Sequence, residues 1–66
     1  MKFEQGDKVK VVGPGYYNND IGFVDTGPVG DSCMVCFIKK ADFFYHRIEI
    51  SRLRLVMKRA DVLKSI

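Results

Sequence analysis

Hydrophobic and polar positions alternate along short stretches of this chain, and the alternation breaks off at clusters of glycine and proline. From Lys8 to Val12 the order Lys-Val-Lys-Val-Val sets Val9 and Val11 on one face and Lys8 and Lys10 on the other, the pattern of a half-buried strand. Gly6-Asp7 before it and Gly13-Pro14-Gly15 after it are turn chemistry, because glycine supplies positive φ and proline fixes φ without donating a hydrogen bond. Gly15 to Asp20, with Tyr16, Tyr17, Asn18 and Asn19, reads as a surface loop leading into a second strand, Ile21 to Asp25. Gly22 inside that strand predicts a bulge, a bend or a close backbone approach. Thr26 to Asp31 reads as another loop. Cys33 to Lys39 is the strongest strand by composition, Lys40-Ala41-Asp42 turns the chain, and Phe43 to Glu49 returns it. Ile50-Ser51-Arg52 is a tight 3₁₀-like turn into a brief fifth strand, Leu53 to Val56. Five short strands at close intervals predict an all-β barrel over residues 1–56. In the tail, residues 57–66, Ala60, Val62 and Leu63 among Lys58, Arg59, Asp61 and Lys64 suggest a short helix that packs through Val62, Leu63 and Ile66 or frays.

Size sharpens this picture. A 66-residue chain forms one domain, and a domain of that length hides only about 60% of the surface its unfolded chain exposes. Stability is marginal without a staple or a partner, and a deep catalytic cleft has little room. The 47% hydrophobic and 29% charged residues are those of an ordinary globular protein. No apolar run reaches the roughly 18 residues a membrane span needs, and the first residues lack a signal peptide's apolar region, so the expected place is the cytoplasm. Charge changes the picture more. Residues 1–31 carry three lysines against five carboxylates, a net −2, whereas residues 32–66 carry eight cations against three carboxylates, a net +5. A basic partner-facing surface would therefore be C-terminal.

The order Gly6-Asp7-Lys8-Val9-Lys10-Val11, a Gly/Pro loop, Ile21-Gly22-Phe23-Val24, Val35-x-Phe37 and a closing Leu53-Arg54-Leu55-Val56 resembles KOW-type and related SH3-like barrels over about residues 5–56. The resemblance implies a five-stranded SH3-like barrel and contact with RNA, a ribosome or RNA polymerase through the loop after the first strand and neighbouring basic side chains. The segment Gly13 to Asp20 departs from that pattern because it holds no Lys or Arg, which moves nucleic-acid contact to the basic second half. From Gly6 to Val24 the chain is also similar to the small stromal SH3-like subunit family of photosystem I, and that likeness ends at Val24.

Candidate chemistry is sparse. Cys33-Met34-Val35-Cys36 is a CxxC, but zinc needs about four ligands and only His46 could add a nitrogen. Residues three apart on a strand point to opposite faces about 10 Å apart, beyond the roughly 7 Å between Cα atoms that a disulfide spans. The pair reads as two small buried or half-buried thiols, with no metal and no cofactor. Asp7, Asp20, Asp25 and Asp31 stand at turns, where Asp bonds the local backbone, and no nucleophile–His–acid spacing occurs. Catalysis is the least favoured class.

Phe43-Phe44-Tyr45-His46-Arg47 is the most suggestive segment. Alternation sends Phe43, Tyr45 and Arg47 to one face and Phe44 and His46 to the other. Exposed aromatics beside Lys39, Lys40, Arg47, Arg52 and Arg54 suit base stacking with phosphate contact; rings closing the barrel's ends over a solvated charged face are the plainer alternative. The expectation is a nucleic-acid or nucleoprotein module, RNA ahead of DNA. The alternatives are a protein-interaction module docking an acidic surface, such as a small phage-encoded regulator, and self-association through an exposed fourth or fifth strand edge. Tyr16 and Tyr17 form an alternative partner-binding loop of the kind that takes polyproline segments, though without a Trp.

Overall fold

The computed structural model describes residues 3–64. Five antiparallel strands form one sheet in the order β4-β3-β2-β1-β5: β1 Lys8–Val11, β2 Ile21–Val29, β3 Ser32–Lys39, β4 Asp42–Glu49 and β5 Leu53–Met57. A 3₁₀ turn, Ile50–Arg52, joins β4 to β5, and a helix, α1 Arg59–Lys64, follows β5. The all-β class is as expected. β4 and β5 are the two edges, and the sheet is not closed into a barrel by pairing among the described residues.

Alternation builds the core. Val9 and Val11 of β1, Val24 of β2, Cys33, Val35 and Phe37 of β3, Ile48 of β4 and Leu53 of β5 face inward and are buried, with Phe3 beside them. Gly22 is where β2 crosses this core. A Cβ there would stand 2.7 Å from Val35 Cγ1 and 2.9 Å from the Cys36 carbonyl oxygen, so the close approach expected of that glycine is real.

Two expectations need correction. Residues 26–29 are not loop: β2 continues through Gly27-Pro28 to Val29, pairing Thr26 with Met34 and Val29 with Ser32 across two register shifts. The irregular ladder is what admits a proline, which has no N–H to donate. The remaining turn is Gly30-Asp31, with Gly30 at φ +65°. The second correction concerns the tail. Of the three residues expected to pack the helix, Val62 is half-buried, Leu63 is exposed and Ile66 lies outside the described residues. Polar contacts fix the start of α1: the fully buried Asp7 carboxylate accepts hydrogen bonds from the N–H of Arg59 (2.7 Å), from the Lys58 ammonium just before the helix (3.0 Å) and from the N–H of Glu4 (2.9 Å).

Candidate binding surface

The strand register assembles one side of the sheet, the side turned away from the core. Residues opposite each other in an antiparallel ladder share a face, and every second residue returns to it. Lys8 pairs with Phe23, Phe23 with Cys36, and Cys36 with Tyr45, so these four side chains cross four strands on the outer face. Next to that row, Arg54 pairs with Lys10 and Lys10 with Ile21, while Ile38 pairs with Phe43 on the far two strands. Beyond Tyr45 on β4 comes Arg47, opposite Met34. The face is therefore basic where β1 and β5 run and aromatic where β3 and β4 run. Its apolar members are open to solvent: Phe43 is 62% exposed, Tyr45 58%, Ile38 53% and Ile21 42%.

The surroundings of Tyr45 on this face act against loss of its phenol proton. Its phenol is pushed up first by Cys36 beside it, then by burial, by the Asp25 carboxylate and by a hydrogen bond with Cys36. Cys36 is half-buried under Tyr45, whereas Cys33 lies in the core, where burial pushes its thiol up; both are free. The two cysteines thus take opposite faces, as their spacing on a strand demands.

Of the residues the sequence singles out, Phe43, Tyr45 and Arg47 come together on β4's outer side. Arg54 joins them only across the sheet, through Lys10 and Ile21, and its Nη1 donates to the carbonyls of Ser51 and Leu53. Lys39 is elsewhere. It follows Phe37 on the inner side, its ammonium 2.8 Å from the Asp20 carboxylate and 5.7 Å over the Tyr17 ring. Lys40 occupies the β3–β4 turn at φ 50°. Arg52 is directed at the β1–β2 loop: Nε donates to the Val12 carbonyl, and Nη2 to those of Gly13 and Tyr16. Three loop carbonyls thus occupy a side chain that the sequence assigns to phosphate.

Tyr16 and Tyr17, the alternative site, have different surroundings. Tyr17 lies flat on Phe37, with centroids 4.2 Å apart, and is part of the wall of the core. Tyr16 is 76% exposed and leans on His46 of β4, 5.8 Å between rings. Lys8, Lys10, Ile21, Phe23 and Ile38 are members of the outer face that sequence reasoning missed. The alternation of β1 already turned both lysines away from the core, but their place in a net-acidic half masked them.

Among the described residues there is no enclosed cavity, no group of three or more His, Cys, Asp or Glu placed to hold a metal ion, and no helix long and apolar enough to cross a membrane. Compared with models of known protein families, with curated proteins and with solved structures, the chain matches none.

Proposed function

We propose that this chain is a non-catalytic binding module of the SH3-like barrel type that takes single-stranded nucleic acid, RNA ahead of DNA, on the outer face of its sheet. The observation that carries the reading is the register itself, which puts exposed Phe43 and Tyr45 of β4 on one face with Ile38 of β3 and Phe23 of β2, with Arg47 next along β4 and Lys8, Lys10 and Arg54 on the far side of the same face. Flat rings accept unstacked bases while cations at the margin meet phosphates, and an unpaired strand can present both. Strand order, a long β2 shared between β1 and β3, and a 3₁₀ turn before β5 favour the SH3-like class, and the KOW resemblance favours RNA.

Docking on a protein surface is the second reading, favoured by Ile21 and Ile38, exposed side chains that give a nucleic acid no charge to meet. Amide-resolved NMR titration with short single-stranded RNA, at low and moderate salt, separates the two. Shifts on Lys8, Lys10, Ile21, Phe43, Tyr45 and Arg54 that fade with salt are the expected result. Tyr45→Ala should then weaken binding by roughly 5- to 150-fold, the equivalent of one lost stack. An unmoved spectrum in both salts overturns the nucleic-acid reading and leaves protein docking.

A further inference from the structure

The sheet has two edges, and they differ in kind. β5 has five residues, its ladder with β1 shifts register between Lys8 and Val9, and α1 follows directly after Lys58. β4 has eight residues, and its register with β3 runs unbroken from Lys39↔Asp42 to Ser32↔Glu49. Six of its eight residues are exposed, it carries no lysine, proline or bulge of the kind that blunts an edge, and its charged residues, Asp42, Arg47 and Glu49, leave the stretch from Phe43 to His46 without a formal charge at neutral histidine. Among the described residues, its backbone pairs with β3 and with no other strand. A long regular edge of this kind is a template for another strand.

We propose that β4 pairs antiparallel with β4 of a second copy, about a two-fold axis through Tyr45. Charge and side-chain alternation choose that register. To keep the outer face continuous across the pair, the axis must pass through a residue. With Arg47 on the axis, two arginines face each other. With His46 there, two imidazoles do, and Phe43 is set against Glu49. With Phe44 there, only residues 42–46 lie opposite strand residues. With Tyr45 on the axis, residues 42–48 pair and no like charges are opposed. Tyr45 meets Tyr45, each Arg47 lies against the other copy's Phe43, each His46 against Phe44, and Asp42 against Ile48 at the margins. Arginine over an aromatic ring and aromatic cross-strand pairs are both attractive contacts. The pairing would cover Phe43 and Phe44, which a single copy leaves exposed, and would run two outer faces into one. It needs only the edge, so it stands whether or not that face takes nucleic acid.

Sedimentation equilibrium without nucleic acid, into the high micromolar range, tests it. The unmodified chain should approach twice its monomer mass. Tyr45→Lys and Tyr45→Glu, at an exposed position, should each sediment as monomers, because like charges then oppose at the axis. An equimolar mixture of the two should regain the double mass, because opposite charges then meet there. A chain that stays monomeric throughout, or a dimer that both substitutions leave intact, overturns the proposal. Two monomeric variants that fail to combine overturn the register through Tyr45.

Discussion

Asp7 shows how one residue can tie the ends of a small domain. Burial, the largest single influence on its carboxyl, would push its pKa up; the N–H of Glu4, the Lys58 ammonium, the N–H of Arg59 and the charge of Lys58 together outweigh it and hold the pKa below the ordinary aspartate value. A carboxyl whose folded-state pKa is depressed contributes stability that is fully present above its unfolded pKa. That contribution is lost as pH falls through the folded value. Stability should therefore be flat from neutral pH to about 5 and drop as pH falls below about 4. Asp7→Ala should remove most of that acid dependence and cost about 3 kcal/mol at neutral pH, because two buried N–H groups lose their acceptor. Urea melts of both chains across pH 2 to 7 check this. Equal slopes of stability against pH would mean that other carboxylates govern acid unfolding. Lys58 and Arg59 stand 51 and 52 positions away in the chain, so the sequence could place Asp7 in a turn but could not name its partners. Gly6 belongs to the same knot: at φ +95°, a Cβ there would sit 3.0 Å from Arg59 Cγ.

At the scale of elements, local pattern predicted well wherever alternation or turn chemistry decides. The 3₁₀ turn at Ile50–Arg52 and the alternation of β1 are as the sequence implies, and the pairing of β4 with β3 divides Phe43, Tyr45 and Arg47 from Phe44 and His46, although Phe44 is exposed as well. It misled at β2, where Thr-Gly-Pro-Val carries loop chemistry but lies against β3 through an irregular ladder that only tertiary pairing can supply. The β3–β4 hairpin has a subtler mismatch. Lys40 and Ala41, its two turn residues, both lie at positive φ, 50° and 70°, as a type I′ turn requires, yet neither is Gly, Asn or Asp. L-residues pay about 1–2 kcal/mol for that region. Ala41→Gly should relieve part of the strain and stabilise the domain by about 1 kcal/mol, raising Tm by roughly 4–8 °C. A thermal melt followed by circular dichroism reads it directly. A lowered Tm would show that glycine's greater freedom in the unfolded chain outweighs the relief.

At the scale of the whole molecule, folding rearranges the charge that the linear sequence divides. Lys8 and Lys10 come from the acidic half and Arg54 from the basic half, yet Arg54 pairs across the sheet with Lys10. Arg52, two residues before Arg54, is directed at loop carbonyls instead. Charge summed along the chain therefore located the basic half but misjudged which cations share a face. If single-stranded RNA binds on the outer face, each cation that meets a phosphate adds about 0.7 to the slope of log affinity against log salt. Lys8→Gln, Lys10→Gln and Arg54→Gln combined should lower that slope by about 2 and weaken binding at low salt far more than at high salt. Stability should scarcely change, because none of the three side chains is in the core. Lys39→Gln is the internal comparison: it removes the same charge from the inner side, where Lys39 pairs with Asp20, and should leave the slope nearly unchanged. Fluorescence titrations with a labelled oligonucleotide at several salt concentrations measure both slopes. If Lys39→Gln lowers the slope as much as one outer-face substitution does, net charge governs the encounter and the outer face is not the phosphate site. If only the outer-face set does, the strand register has located the site.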